Sequence, residues 1–185
     1  LEGYRDAVVI IDEAYADFGG VSAVPLLADY PNLLVCGTFS KSRSLAGLRL
    51  GFAIGSPELI SVLEAVKNSY NSYTVDNLSL LCGAAAMDDE AYFAKTTAAV
   101  ITTRERVRRA LEQMGFSVLP SRTNFLFATK DGASMRDLFL YLKQRHIYIR
   151  YFDLPRIDNY VRITIGTDAQ MDAFLQGTEA FLRGE

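Results

Sequence analysis

Three apolar runs in the first third of the chain constrain its fold more than any other feature. They span residues 7–11, 33–36 and 48–54, and each ends at an acidic residue or a glycine. Apolar runs that do not alternate with polar residues are typical of strands buried on both faces, in a sheet that helices cover. We therefore predict an α/β unit with a mixed, mostly parallel sheet at the start of the chain.

The rest of the chain has shorter elements in a different order. Pro57 marks the start of a first helix, and residues 76–87 and 89–114 predict a second and a long third helix. The pattern then predicts strands at 116–119, 124–128, 147–152 and 160–165, and helices at 134–145 and 168–183. This order indicates a smaller α+β unit, so we divide the chain into domains 1–95 and 96–185. Four arginines near the end of the long helix predict a solvated face: Arg104, Arg106, Arg108 and Arg109.

Composition and charge argue against several classes of function. The net charge of −3 over 185 residues argues against nucleic acid as a partner, because a phosphate backbone requires a basic face. The longest stretch of small apolar residues, 78–87, is far too short to span a membrane. Cys36 and Cys82 lack the spacing of metal ligands, so we expect buried, reduced thiols in a cytoplasmic protein and no metal site.

An acidic motif follows the first apolar run. Asp12 comes at the carboxyl end of a predicted strand, which is where ligands bind in open α/β sheets, and Tyr15 follows three residues later. An aspartate that only caps a turn is an open alternative. Four apolar residues before Asp-Glu also resemble the magnesium-binding strand of P-loop ATPases, but the phosphate-binding motif G-x-x-x-x-G-K-[ST] does not occur in these residues.

A lysine-containing segment, residues 37–51, follows the second apolar run. It combines small hydroxyl residues with three cations and three glycines. Hydroxyls and an arginine can donate several hydrogen bonds to a phosphate. Positive charge near Lys41 favours a neutral amine, the form that attacks a carbonyl carbon. A flexible basic loop is the alternative that composition alone leaves open.

Together these two segments resemble the signature of class I/II, fold-type I aminotransferases. The match consists of Asp-x-Ala-Tyr, Thr-x-Ser-Lys about thirty residues later, and an arginine eight residues after the lysine. The resemblance implies that Lys41 forms a Schiff base with pyridoxal 5'-phosphate and moves the substrate proton. It implies that Asp12 pairs with the pyridinium nitrogen and Tyr15 with the 3'-oxygen. The cofactor phosphate would be held by Thr38, Ser40 and Arg49.

The second domain contributes candidate substrate-binding residues. Strand alternation over residues 160–165 places Arg162 on one face and Val161 and Ile163 on the other. Arg162 resembles the arginine with which the family binds the substrate α-carboxylate. Asn124, followed by a phenylalanine, resembles the family's asparagine near that carboxylate.

Within the family, the histidinol-phosphate aminotransferases resemble this chain most. Arg150 resembles the arginine that contacts the substrate phosphate in that group, and Tyr70 and Tyr73 lie where the family brings a tyrosine to the substrate. The implied reaction is amino transfer between histidinol phosphate and 2-oxoglutarate. Aminotransferases for aromatic amino acids and threonine-phosphate decarboxylases have similar motifs and stay open as alternatives.

The resemblance also bears on the state of the chain. It covers about the C-terminal half of a family member, and the first residue is Leu1 rather than methionine. Residues 1–95 would then be the end of the large cofactor-binding domain, and residues 96–185 the small C-terminal domain. Family members act as homodimers on small molecules, without nucleic acid or membrane partners. We therefore also consider that the isolated chain is a catalytically inactive fragment.

Overall fold

The computed structural model describes residues 2–4 and 6–185. The chain forms two compact units, Leu1–Thr97 and Ala98–Glu185. The first unit contains β1 (Val9–Asp12), β2 (Leu33–Thr38), β3 (Gly51–Gly55), α1 (Pro57–Tyr70) and α2 (Asn77–Asp88). Helix α3 (Glu90–Gln113) crosses the boundary between the units. The second unit continues with β4 (Ser117–Val118), β5 (Phe125–Thr129), α4 (Met135–Gln144), β6 (Arg150–Tyr151), β7 (Val161–Thr164) and α5 (Asp168–Arg183).

The first unit is built on a three-stranded sheet of order β1-β2-β3. β1 and β2 are parallel and β3 is antiparallel to β2, so the sheet is mixed, as predicted. The third apolar run is antiparallel because no crossover helix lies in residues 39–50, and parallel neighbours need one. β3 also begins later than its apolar run. Ala46–Leu48 forms a 3₁₀ helix, and Arg49 has a left-handed φ of 53°.

The two parallel strands differ in burial. Leu33, Leu34 and Val35 of β2 are buried, as the apolar run predicts. In β1, Ile10 is 61% and Ile11 38% exposed, so the prediction of burial on both faces is wrong for this strand. β1 is the edge strand of the sheet, and the described residues leave much of its surface uncovered.

Capping residues define the helices of the first unit. Ser56 accepts a hydrogen bond from the backbone N–H of Leu59, and Pro57 occupies the first helical turn, as predicted. Asp76 caps α2 by accepting from the backbone N–H of Ser79 at 2.9 Å. Cys36 and Cys82 are half-buried rather than buried, which corrects the expectation for both thiols. No helix within the described residues is long and apolar enough to cross a membrane.

The second unit has an antiparallel sheet of order β4-β5-β7-β6. Its core contains Val161 and Ile163 from β7, whereas Arg162 is half-buried and Thr164 exposed, so the predicted alternation is confirmed. The same core cluster includes side chains of α3, α4 and α5, among them Leu111, Leu138 and Phe174.

Strand β6 is much shorter than the predicted strand 147–152. The first residues of the predicted strand are not in β6, because residues 146 and 147 form the turn that ends α4. His146 has a left-handed φ of 60°, and the N–H of Ile147 donates to the carbonyl of Leu142 at 3.0 Å. Residues 146–149 line a cavity of about 440 Å³ together with residues of β7 and α5.

The arginines of α3 do not form one solvated face. Arg104 is 4% exposed, and its Nη1 donates to the carbonyl oxygen of Thr123 at 2.8 Å. Arg106 bonds to Asp168 and Asp172 on α5. The prediction of a solvated face is therefore wrong for Arg104, because this cation is used to fix the loop that precedes β5.

Candidate active site

Two adjacent strand ends bring the first group of candidate residues together. Asp12, the last residue of β1, lies opposite Cys36 of β2. The backbone N–H of Glu13 extends the pairing by donating to the carbonyl of Cys36 at 2.8 Å. Residues 13–20 and the lysine loop, residues 39–50, therefore leave the sheet at the same edge, the carboxyl end of its two parallel strands. This is the edge at which open α/β sheets bind ligands.

The segment after β1 carries a carboxylate and a phenol. Asp12 is exposed, and its Oδ1 accepts a hydrogen bond from the backbone N–H of Ala14 at 2.9 Å. Tyr15 is half-buried and precedes a short 3₁₀ helix, Ala16–Phe18, which Phe18 anchors at 3% exposure. Lys41 Nζ lies 5.5 Å from the centroid of the Tyr15 ring. The structure thus places the Lys41 amine near the Tyr15 ring.

The lysine loop is closed at its base by backbone hydrogen bonds. The N–H of Phe39 donates to the carbonyl of Leu50 at 3.1 Å, and the N–H of Leu45 donates to the carbonyl of Phe39 at 2.9 Å. Thr38 Oγ1 accepts from the N–H of Ser40 at 3.1 Å and donates to the carbonyl of Leu50 at 3.3 Å. The loop is therefore a formed structure, which argues against the alternative of a flexible basic loop.

Arg49 stands at the end of this loop. Its guanidinium is exposed, and Nη1 donates to the carbonyl of Ala46 at 2.9 Å. Its left-handed backbone conformation ends the 3₁₀ helix and leads into β3. Arg49, Ser40 and Thr38 are thus placed on one loop with Lys41, and their predicted contact with a phosphate stays a prediction.

The sequence does not predict three groups of contacts that hold the lysine loop in place. Ser42 Oγ donates to Asp17 Oδ2 at 2.5 Å. The Arg43 guanidinium donates to the carbonyl of Ala86 and stacks 3.7 Å from the centroid of the Phe93 ring. Ser79, only 2% exposed, lies 3.4 Å from the carbonyl oxygen of Leu48. No local pattern marks these contacts, because the hydrogen-bonded partners are 25 to 43 residues apart in the chain.

Ser79 also favours the charged form of Asp76, which lies three residues before it. Its hydroxyl and its backbone N–H both donate to the carboxylate of Asp76, at 2.6 and 2.9 Å. These hydrogen bonds, the side-chain bond first, lower the pKa of Asp76 below its usual value. A charged Asp76 stabilises the start of α2, the helix that packs behind the lysine loop at Leu50 and Gly83.

The second unit contains a separate cationic group. Arg150 and Arg162 are directly opposite each other on β6 and β7, so both lie on one face of the sheet. The Arg162 guanidinium lies 5.3 Å from the centroid of the Phe125 ring. Its Nε is buried and has no hydrogen-bond partner within the described residues. Like charges directly opposite are destabilising, and an anion between them would satisfy both.

The remaining candidates contribute less geometry. Asn124 is half-buried beside β7, and its carbonyl accepts from the N–H of Ile165 at 2.9 Å. Tyr70 and Tyr73 are 80% and 94% exposed on the first unit. The proposed substrate contacts of these three residues stay predictions.

In chemical terms, the first unit offers an amine, a phenol and a carboxylate at one edge, with hydroxyls and a guanidinium on the same loop as the amine. Such a set suits a small ring compound that carries a carbonyl and a phosphate. The second unit offers two arginines for an anionic substrate group.

Comparison with known proteins identifies the relatives of this chain. The model of the family "Aminotransferase class I and II" matches residues 3–177. Histidinol-phosphate aminotransferases from Chromohalobacter salexigens and Clostridium acetobutylicum are 52% identical over 183 residues and 53% identical over 175 residues. These matches cover 99% and 95% of this chain but only 52% and 50% of the relatives. The chain thus spans about half the length of the curated relatives it matches.

Solved structures give the same result for the fold. The crystal structure of histidinol-phosphate aminotransferase from Sinorhizobium meliloti in complex with pyridoxal-5'-phosphate matches with a TM-score of 0.83 at 27% identity. The match covers 97% of this chain and 50% of that chain. The fold described above is therefore that of about half of such an enzyme.

Proposed function

Because this chain belongs to the class I and II aminotransferase family, we propose that the protein is a pyridoxal 5'-phosphate-dependent aminotransferase whose cofactor bonds to Lys41. One observation carries this assignment. Lys41 Nζ lies 5.5 Å from the centroid of the Tyr15 ring, on the segment that begins at Asp12. The amine and the two groups expected to hold the cofactor ring therefore come from adjacent strand ends.

The residues at this edge fit the functional groups of the cofactor. Lys41 Nζ is a nucleophile for its aldehyde carbon. Oδ1 of Asp12 accepts from Ala14, which leaves the second carboxylate oxygen for a ring N–H. Tyr15 can donate to the 3'-oxygen. Thr38, Ser40 and Arg49 can hold the phosphate, since the 3.3 Å hydrogen bond from Thr38 to Leu50 is long and easily exchanged.

The protein's own residues then perform two tasks. When bound, pyridoxal phosphate supplies an electron sink for negative charge at the substrate α-carbon. Asp12 keeps a proton on the ring nitrogen, because a nearby carboxylate favours the cationic form. Lys41 Nζ accepts the proton from the substrate α-carbon and returns it during amino transfer.

We propose that the reaction is amino transfer from histidinol phosphate to 2-oxoglutarate, which gives imidazole-acetol phosphate and glutamate. Support comes from the names of relatives at 52% and 53% identity and from the cationic pair on the second unit. Arg162 would bind the α-carboxylate of glutamate near Asn124, and Arg150 the phosphate of histidinol phosphate. We propose Tyr70 and Tyr73 of the first unit as further substrate contacts.

The test uses the protein expressed at the full length of its gene, purified with pyridoxal phosphate. We expect a visible absorption band from the lysine-bound cofactor and amino transfer from histidinol phosphate to 2-oxoglutarate. Lys41→Ala removes both, whereas Lys67→Ala, a lysine on α1, keeps both. A wild-type protein without the band and without transfer contradicts the assignment.

Arg150 distinguishes the proposed substrate from the aromatic amino acids. A substrate phosphate needs its guanidinium, and an aromatic amino acid does not. We expect Arg150→Ala to lower kcat/KM for histidinol phosphate by roughly 10- to 100-fold, the range for hydrogen bonds to a charged group. The value for an aromatic amino acid should change little. Equal activity of Arg150→Ala and wild type toward histidinol phosphate would favour another substrate.

The partial coverage of the relatives supports a second possibility for the isolated chain. We propose that residues 1–95 are the end of a large cofactor domain and residues 96–185 a small domain, in a cytoplasmic homodimer. The 185-residue chain by itself would then be a fragment that lacks turnover. Its absorption spectrum with pyridoxal phosphate tests this, because the absence of a visible band that depends on Lys41 would show that the fragment has no working cofactor site.

A further inference from the structure

We infer that Asp17 is a positioning residue for Lys41 and acts through Ser42. This inference rests on the proposed function, since it concerns the amine that bonds to the cofactor. Ser42 directly follows Lys41 and is 6% exposed. Its hydroxyl donates to Asp17 Oδ2 at 2.5 Å, which is short for a hydrogen bond between oxygens. An ionised acceptor makes this bond stronger than one between neutral groups.

The bond joins the same two segments that meet at Lys41. Tyr15 and Asp17 are two residues apart after β1, and Lys41 and Ser42 are neighbours after β2. Lys41 Nζ approaches the Tyr15 ring, and Ser42 bonds to Asp17. Two contacts between the segment after β1 and the segment after β2 restrict both the distance between these segments and their relative orientation. The Asp17 bond thus helps to hold the Lys41 amine near Tyr15.

Asp17 can serve as a fixed point because its own segment is well anchored. Phe18 is buried next to it, and Gly19 turns the chain with a φ of 98°. The N–H of Gly20 donates to the carbonyl of Ala16 at 2.7 Å. Glu13 closes the segment by accepting from the hydroxyl of Ser22 and from the N–H of Ala23 at 2.8 and 2.5 Å.

The other anchors of the lysine loop do not replace this bond. The Phe39 and Leu45 backbone contacts hold the base of the loop, and Arg43 attaches it to Ala86 and Phe93. Neither of these contacts reaches the segment of Tyr15. The hydrogen bond from Ser42 to Asp17 joins that loop to residues 13–20. Its loss should leave the fold intact and misplace the amine.

The experiment measures how fast Lys41 bonds to the cofactor. The full-length apo-protein is mixed with pyridoxal phosphate, and the appearance of the visible band is followed in a stopped-flow instrument. Small misplacements of a reacting group cost up to about a hundredfold in rate, so we expect Asp17→Ala and Ser42→Ala each to slow the reaction by about tenfold. The final band should still form, and the KM for glutamate should change little.

Three further variants separate positioning from a general structural effect. In the double variant Asp17→Ala/Ser42→Ala, the rate should equal that of either single variant, because both remove one bond. Asp17→Asn keeps an acceptor oxygen and should recover part of the rate. Ser61→Ala removes a hydroxyl that donates to the carbonyl of Glu58 within α1, away from both segments, and should react like wild type.

The outcomes are distinct. Wild-type rates in Asp17→Ala and Ser42→Ala, or losses that multiply in the double variant, overturn the role of Asp17 and leave the proposed function standing. A wild-type protein that forms no band overturns the proposed function and this inference with it. If Asp17→Ala melts at a much lower temperature than wild type, the rate of Asp17→Asn decides, since that variant keeps the hydrogen-bond geometry.

Discussion

Arg162 shows how a single residue can indicate a ligand. Its guanidinium is half-buried against Phe125, and its Nε has no hydrogen-bond partner in the described part of the chain. A buried donor without a partner costs free energy of folding. This unsatisfied donor supports the proposal that Arg162 binds an anionic group of the substrate.

Replacing Arg162 by lysine should reveal that role. An ammonium carries the same charge but cannot form two parallel hydrogen bonds to a carboxylate. We expect Arg162→Lys to lower kcat/KM for glutamate by roughly 10- to 100-fold, the range for charged hydrogen bonds. Steady-state kinetics of the full-length enzyme measure it. Arg136→Lys, an exposed arginine on α4, is the control, and equal kcat/KM in both variants would contradict the role.

At this scale, residues that belong to a recognisable motif were easier to predict than residues that belong to none. Tyr15 and Lys41 each belong to a compact motif, and the pairing of β1 with β2 brings the motifs together. The Asp17 and Ser42 contact joins residues 25 positions apart and has no motif of its own. The sequence predicts that Arg104 is exposed to solvent, because a helical pattern does not show which arginine side chain a neighbouring loop will cover.

Helices α3 and α5 are joined by a polar cluster at the start of α5. Asp168 Oδ1 accepts from Arg106 at 2.9 Å and from Thr103 at 3.0 Å. The hydrogen bond from Arg106, and then that from Thr103, lowers the pKa of Asp168 below its usual value near 4. This cluster supplements the apolar contacts between the two helices, and the lowered pKa of Asp168 predicts that its contribution to stability depends on pH.

The sign of that dependence follows from linkage. The folded-state pKa of Asp168 is depressed, so its contribution to stability is present above the unfolded-state pKa and is lost as pH falls through the folded-state pKa. Asp168→Asn should therefore unfold at a lower urea concentration than wild type at pH 7. The difference should shrink as pH falls below about 4. Asp131→Asn, an exposed residue in the same unit, is the control, and a difference that stays constant with pH would contradict the assignment.

The segment between β1 and β2 depends on a close backbone approach. A Cβ added to Gly20 would lie 2.9 Å from the Cα and the carbonyl oxygen of Ala16, and these backbone atoms cannot rotate away. Gly20→Ala should lower the free energy of unfolding by about 1–3 kcal/mol, as overpacking does. Gly47→Ala is the matched control, because nothing lies within 4 Å of its added Cβ. Urea denaturation measures the stability of both variants. Equal denaturation midpoints would show that the close approach of Gly20 to Ala16 does not exclude a side chain at position 20.

Elements with capping signals were the most predictable. The predicted helix 168–183 coincides with α5, whose start is fixed by a capping box of Thr167 and Gln170. Strand 147–152 was overestimated because an apolar run does not reveal that Ile147 donates to the end of α4. The apolar run 7–11 predicts more burial of β1 than the structure shows, because a sequence pattern does not reveal that a strand lies at the edge of a sheet or what covers it.

The two units differ in how completely they bury their apolar residues. The second unit contains the core cluster, which includes Leu126 of β5 and Ile163 of β7 at 0% and 1% exposure. The first unit buries β2 but leaves large apolar side chains exposed on β1, β3 and α1, among them Ile10, Phe52 and Val62. Since burial of apolar surface is the main source of folding free energy, the first unit should be the less stable part of the isolated chain.

Hydrogen exchange of the isolated 185-residue chain can test this difference. Amides that exchange through global unfolding are slow, and those in weakly stabilised segments are fast. We expect slow exchange for Leu126 and Ile163, which pair with each other between β5 and β7, and faster exchange for Ile10 and Ile11 of the edge strand β1.

In the full-length protein with pyridoxal phosphate, a ligand that binds only the folded state should slow exchange at β1. Residues of β5 and β7 serve as the internal control. Equal protection of β1, β5 and β7 in the isolated chain would mean that the two units unfold together, and the exposed apolar faces of the first unit would then not weaken it.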